Sequence, residues 1–267
     1  MPRSLTLIRH GESEGNLVRT LYENNSPHPH EAELMKVHTS ERRLTPTGVE
    51  QAKIAGMWLR LHWAPHIPSK DKCFFVSPYV RAVETAGNFG FGTWRMDNRI
   101  VERNWGQLDM LTYDERRARF GEAMDYNEDV AFFWRPSDGE TLQDVIVRER
   151  DFLRSLHEQC KNKHVIAVCH GEAIWAFRTI LERWTPHDLV REMRAYDSRT
   201  RPSNCRIIQY ERDADADIKG FTRVRFIHPM HPGDETRNLD WQPIQVRYFS
   251  DKELRTFADA FPRHLSE

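Results

Sequence analysis

The chain has 267 residues, 39% hydrophobic and 30% charged, enough apolar content for the core of one α/β domain spanning 1–267 with insertions. A formal net charge of −1 gives no general reason to expect nucleic acid or a membrane surface as partner. No apolar run reaches the length of a membrane span, and Met1-Pro-Arg-Ser4 lacks the apolar stretch of a secretion signal.

In chain order, Leu5-Thr-Leu-Ile8 reads as a buried strand running into Arg9-His10-Gly11-Glu12. An irregular stretch follows, and Thr45-Pro46 then caps a predicted helix to about Leu61, with Val49, Ala52, Gly56 and Leu59 on one face. Lys72–Ser77 is a second strand, broken by Pro78. Ser77 suits an N-cap, which puts Arg81 in the first turn of a helix reaching about Phe89. Residues 93–139 are aromatic-rich without clear strand signals, and short helices are expected near Tyr113–Phe120 and Asp129–Trp134.

Asp138-Gly-Glu-Thr141 opens an amphipathic helix carrying Leu142, Val145, Phe152 and Leu156. His164–Cys169 is a third strand leading into His170-Gly171-Glu172 and a buried helix over Ala173–Arg183. Asn204–Tyr210 and Phe221–Ile227 alternate like strands around a polar turn, Asp213–Gly220, and a last helix lies near Asp251–Phe261. This βα alternation predicts an α/β fold with a mostly parallel sheet. The widely spaced Cys73, Cys160, Cys169 and Cys205 are expected to be reduced, with Cys73 and Cys169 in core strands, and cytoplasmic residence is the simpler expectation.

In open α/β folds ligands bind outside the carboxyl ends of the strands. There the sequence delivers Arg9 and His10, then Arg81, then His170: two arginines and two histidines, the makings of a phosphate pocket. Arginine forks match phosphate oxygens and stay charged, while a neutral imidazole has a lone pair that can take a phosphoryl group without a metal. The nucleophile's other ring nitrogen must then be held by an acceptor. His170 beside a bound anion is expected to gain a raised pKa and act as a cation. The departing alkoxide needs a proton, which a partly buried carboxyl of raised pKa could give. Glu84, Asp97, Glu102 and Asp109 are carboxylates close to one another in this part of the sequence. Glu12 and Glu172, each after a His-Gly pair, read as supporting or solvated groups.

The ordered set Arg9-His10-Gly11-Glu12-Ser13 with Asn16, Ser77-Pro78 with Arg81, Glu102-Arg103 before Gly106, and His170-Gly171 resembles the histidine phosphatase superfamily over residues 4–210. That resemblance implies a three-layer αβα, phosphoglycerate mutase-like fold with loop insertions over the active site. It implies that His10 is the phosphorylated nucleophile and that Arg9, Arg81 and His170 grip the phosphoryl oxygens. Glu102 would donate the proton, Asn16, Ser13 and Gly171 would add pocket contacts, and neither metal nor other cofactor would take part.

Mutases of this family carry Trp before the Asn of the first motif and a Thr-Gly-Trp segment after it. Here Gly15 precedes Asn16 and Leu17-Val-Arg-Thr-Leu21 follows, which favours hydrolysis over isomerisation. A mutase, or a phosphate-binding module without turnover, is the alternative. The expected partner is a small phosphate ester or a phosphorylated macromolecule; oligomeric state leaves no mark in the sequence.

Two stretches, with 104–139, fall outside the common pattern. In 17–43, His28, His30, Glu31, Glu33 and His38 could be metal ligands, but their irregular, Pro-broken spacing favours a mobile loop over the pocket. With 104–139, it is expected to wall the cleft and select the substrate. The extension 229–267 is expected to pack on the domain, with a possible reach to the cleft.

Overall fold

The structure, a computed structural model, describes residues 1–130, 132–213, 220–246 and 248–265. Its strands are β1 (Ser4–Arg9), β2 (Lys72–Val76), β3 (Arg95–Met96), β4 (His164–Cys169), β5 (Ile207–Glu211), β6 (Arg223–Ile227) and β7 (Leu239–Pro243). They form one sheet in the order β3-β2-β4-β1-β5-β6-β7. The first four in that order are parallel; β5 pairs antiparallel with β1, β6 with β5 and β7 with β6.

β1 is covered on both faces, which is why it reads as a continuous apolar run. Leu5 and Leu7 pack with Phe152 and Leu156 of α6 (Leu142–Gln159) and with Ile174 and Phe177 of α7 (Gly171–Leu181). Ile8 faces the other way, toward Ala52, Ala55 and Leu59 of α3 (Pro46–His62) and Ala82 and Ala86 of α4 (Val80–Gly87). Burying each of these large β1 side chains contributes roughly 1.5–3 kcal/mol. Helices on both faces of a sheet make three layers, as the sequence implies.

Register brings the pocket residues together. Val76 of β2 pairs with Val168 of β4, and Arg9 of β1 pairs with Cys169 of β4. The next residues, Ser77, His10 and His170, therefore leave the sheet side by side. Backbone bonds extend the ladder past the strands, with Ser77 N–H donating to Val168 O at 2.9 Å and His10 N–H to Cys169 O at 3.0 Å.

The loop after β1 is clamped by two helices. Gly11 N–H donates to Thr85 Oγ1 at 3.0 Å, and Glu12 N–H donates to Gln51 Oε1 at 2.8 Å. A Cβ on Gly48 would lie 2.0 Å from Glu12 O, and one on Gly11 would lie 2.4 Å from Gly48 O. Glycine at both positions lets the start of α3 abut the loop that follows His10.

Several expected elements hold. Thr45 caps α3 through Gly48 N–H, and Thr141 and Asp144 form a capping box at the start of α6. Others are corrected. The irregular stretch after β1 is helix α1 (Glu14–Glu23), opened by a Ser13–Asn16 capping box, and α2 (Glu31–Met35). The helix after β2 starts two residues past Pro78, with Tyr79 rather than Ser77 at its cap, because the Ser77 hydroxyl is bonded elsewhere.

In place of two short helices, α5 runs over Tyr113–Val130, and residues 132–134 are not helical. The helix after His170 starts at Gly171 and ends at Leu181. α8 (Pro186–Ala195) and the short strands β3 and β7 carry no expectation from the sequence. β7 lies in the extension, which thus adds an edge strand to the sheet, and the helix α9 (Asp251–Asp259) follows it. Most of the polar turn between β5 and β6 lies outside the described residues. All four cysteines are free; Cys160, Cys169 and Cys205 are buried and Cys73 half-buried.

Candidate active site

His10 is 2% exposed and oriented by its own loop. Its Nδ1 lies 2.7 Å from Gly11 O, an acceptor only, so Nδ1 carries the hydrogen and Nε2 the lone pair. Gly11 O thus fixes the tautomer of His10. Arg81 Nε–H donates to that Nε2 at 3.1 Å. Burial, then the charges of Arg81 and Arg9, hold the His10 imidazole well below its ordinary value, so it is neutral at pH 7.

His170 lies next to it, the ring centroids 5.1 Å apart. Its Nε2 is 2.7 Å from Ser77 Oγ, while its buried Nδ1 has no hydrogen-bond partner among the described residues. Burial first, then Arg81, His10 and Arg9, push the His170 pKa well down. The sequence leads to a cationic His170 beside an anion. In the protein itself the imidazole is neutral, so the cationic form would need an anion bound beside it.

Arg9 and Arg81 are held mainly by carbonyls. Arg9 Nη1 donates to Pro202 O at 2.9 Å and Arg81 Nη1 to Thr39 O, while Arg9 Nε has no partner among the described residues. Burial lowers both pKa values, Arg9 to about 10, with Glu102 opposing the shift in each case. Both remain cations at neutral pH. Buried cations, with Arg9 Nε and His170 Nδ1 still unsatisfied, favour an anion.

Glu102 is fixed at the start of α7. Its Oε2 accepts from Gly171 N–H at 3.1 Å, and Oε1 accepts from Glu172 N–H at 3.1 Å and Arg103 N–H at 3.0 Å. A carboxylate there also meets the positive end of the helix dipole. The competing carboxylates are engaged otherwise: Asp97 with Arg99, Glu84 with Arg43 and Leu44 N–H, and Asp109 with Trp105 N–H. Glu12 accepts from Thr45 Oγ1 at 2.7 Å. Glu172 lies 3.6 Å from Arg103 Nη1, with its pKa raised by burial. Both are thus engaged by neighbouring side chains.

Asn16 Oδ1 accepts from Ser13 N–H at 3.3 Å and from Asn204 Nδ2 at 3.0 Å. Asn204 Nδ2 also donates to His10 O at 3.0 Å, which ties α1 to the backbone of His10. Ser13 Oγ accepts from Asn16 N–H, so Ser13 serves first as a helix cap. Sequence reasoning misses Asn204 and Thr85, and it assigns Ser77 to capping. Each acts through a contact with a residue more than 70 positions away, and no local pattern reports that.

The two insertions pack on each other beside the pocket. Arg42 Nη2 donates to Asp109 O at 2.6 Å, Glu31 Oε1 accepts from Tyr113 N–H at 2.7 Å, and Tyr22 stacks on Tyr113 at 5.0 Å. Glu31 is thus committed to α5 and not to the histidines around it. The stretch 17–43 is helical and tied down rather than a free loop, and through Thr39 O it holds Arg81 directly.

A mainly parallel sheet with imidazole and guanidinium groups at its strand ends defines a phosphoglycerate mutase-like α/β protein. More particularly, the model of the histidine phosphatase superfamily (branch 1) matches residues 5–201, and the chain belongs to that family. It is 33% identical over 171 residues to the phosphoglycerate mutase-like protein AT74 of Arabidopsis thaliana, covering 58% of this chain and 47% of that protein. The chain thus spans about half the length of that relative. A 2,3-bisphosphoglycerate-dependent phosphoglycerate mutase of Azorhizobium caulinodans is 28% identical over 72% of this chain and 87% of its own. Among solved structures, a mycobacterial glucosyl-3-phosphoglycerate phosphatase in complex with VO3 matches with TM-score 0.60. At 22% identity, over 78% of this chain and 92% of that one, it shares the fold.

Proposed function

We propose that the chain is a phosphatase that hydrolyses a phosphomonoester through a phosphohistidine on His10, without a metal ion. The observation that carries this reading is the His10 ring itself. Its Nδ1–H is tied to Gly11 O, and its Nε2 lone pair points at Arg81 beside His170.

As substrate enters, Arg81 Nε–H passes from His10 Nε2 to a phosphoryl oxygen, freeing the lone pair. Nε2 attacks phosphorus, the ester P–O bond breaks, and Glu102 in its acid form gives its proton to the leaving oxygen. Arg9, Arg81 and His170 hold the equatorial oxygens, with Asn16, Ser13 and the Gly171 amide completing the pocket. Glu102, now a carboxylate, takes a proton from water. That water attacks phosphorus, the P–N bond breaks, and phosphate leaves with His10 neutral again.

Substrates are small phosphate esters or phosphorylated macromolecules, selected by 17–43 and 104–139, which meet beside the pocket. Deleting the 24–40 tip should change relative rates across a panel of phosphate esters. An unchanged ranking refutes its selecting role.

The mutase relatives favour a second reading, phosphoryl transfer between positions of one substrate. Acid-quench labelling during turnover of an aryl phosphate should show acid-labile phosphate on His10, and His10→Ala should abolish turnover. Hydrolysis without that label sinks the covalent mechanism. Isomerisation of phosphoglycerate outpacing phosphate release would establish the mutase instead. Chelators should leave the rate unchanged; loss restored by a divalent ion contradicts the metal-free scheme.

A further inference from the structure

Tyr79 breaks a local rule. It occupies the N-cap of α4 in extended conformation (φ −65°, ψ 133°) and makes no side-chain cap bond. Ser, Thr, Asp or Asn there would accept from a first-turn N–H and stabilise the helix. Where a sequence gives up a local preference, the residue serves something beyond the element it sits in.

The ring of Tyr79 touches both residues proposed to grip phosphate outside β1. It meets the His170 ring edge-on, centroids 5.1 Å apart at 65°. The Arg81 guanidinium carbon lies 5.0 Å from the Tyr79 centroid. Tyr79 N–H donates to Ser77 Oγ at 3.3 Å, the hydroxyl that pairs with His170 Nε2. A single hydrogen bond at Nε2 leaves the imidazole able to swing about it. The His170 plane is set by what its faces and edges touch, namely His10 on one side and Tyr79 on another. Likewise Arg81 has donors on Thr39 O and His10 Nε2, and the aromatic face supports the guanidinium between them.

We propose that Tyr79 is a positioning residue whose ring sets the orientation of Arg81 and His170 toward the phosphoryl group. This rests on the assignment of those two residues to phosphate binding. The ring, not the hydroxyl, carries the role: the hydroxyl makes no hydrogen bond among the described residues, and both contacts are made by the aromatic system.

The test compares Tyr79→Phe with two ring-less variants, Tyr79→Leu and Tyr79→Met, each checked for a cooperative thermal transition. Two quantities are read: the Kd for inorganic phosphate by calorimetry, and KM and kcat for an aryl phosphate. Tyr79→Phe should stay within about twofold of the unaltered protein in both. The ring-less variants should bind phosphate roughly tenfold more weakly, with KM rising more than kcat falls. Wild-type-like phosphate affinity in a folded ring-less variant overturns the proposal, as does a loss in Tyr79→Phe equal to theirs.

Phosphate binding is read without turnover, so the two claims separate. Unaltered protein that binds phosphate but hydrolyses nothing refutes hydrolysis and leaves the Tyr79 comparison to be decided by Kd. Unaltered protein that binds no phosphate refutes both.

Discussion

The pocket and the C-terminal segment of this protein are built on opposite terms. His10, Arg81 and His170 are at most 5% exposed, and each makes a hydrogen bond to a side chain distant in sequence. In α9 no residue is buried, and Leu254, Phe257 and Phe261 are each about half exposed. The pocket's geometry is a product of strand register, so single atoms matter there. The segment rests on side-chain contacts such as those of Phe257 and Phe261 with His187, where one contact more or less changes little.

The largest effect that would sharpen this contrast is at Glu102. Glu102→Gln keeps the shape, and its one carbonyl oxygen can still accept from Glu172 N–H and Arg103 N–H, but it cannot exchange a proton. The proposed chemistry therefore loses about 10²–10⁴-fold in kcat, the usual worth of a positioned acid–base group. Phosphate binding should persist. A kcat within threefold of the unaltered protein, measured on an aryl phosphate with a poor leaving group, removes Glu102 from the proton step.

Next is Ser77→Ala. It strips His170 Nε2 of its partner and leaves both nitrogens of a fully buried ring without one. The unsatisfied group should cost about 1–3 kcal/mol in stability. A looser ring should also raise the KM of an aryl phosphate. Unchanged stability and unchanged KM would show that the hydroxyl is dispensable.

This residue also shows what the sequence could and could not disclose. The strand ends bearing Arg9, His10 and His170 were legible because an apolar run followed at once by charged groups is a local pattern. Ser77 was legible as a polar residue before a proline, which suggests a cap. Its true partner depends on the pairing of Val76 with Val168, and nothing near residue 77 encodes that. The same holds for Asn204, which reaches His10 and Asn16 from across the molecule. α1 was hidden because Glu14–Glu23 is short, buries only Val18 and carries the poor helix formers Gly15 and Asn16 in its first turn. α5 has a predominantly polar sequence, and β3 has only two residues.

A third prediction concerns Glu149, beneath the same face of the sheet. It is fully buried, both carboxyl oxygens lack partners among the described residues, and burial raises its pKa well above 4.5. The folded state thus keeps a proton that the unfolded chain releases, so this group's contribution to stability is lost as pH rises above about 4.5. His10 and His170 work in the other direction. Their pKa values are lowered, so the unfolded chain takes up protons first and stability falls as pH drops below about 6.5. Glu149→Gln removes only the alkaline loss. Its unfolding midpoint should gain on that of the unaltered protein between about pH 5 and pH 8. A constant difference across that range would mean that Glu149 does not titrate between the two states.

The smallest effect belongs to the segment. Phe257 and Phe261 are 51% and 49% exposed, and their visible ring contacts are with His187 and each other. Replacing both by Ser forfeits at most half of what a fully buried phenylalanine contributes at each position, or about 1.5–3 kcal/mol for the pair. In a chain of this size that lowers the midpoint by a few degrees, about 2–4 °C per kcal/mol. KM and kcat should not move, because neither ring contacts a pocket residue in the structure. The same experiment can break the comparison. If the double variant keeps its fold but loses more than threefold in kcat/KM, α9 communicates with the cleft, and the extension would belong to the catalytic unit as fully as the two insertions beside the pocket.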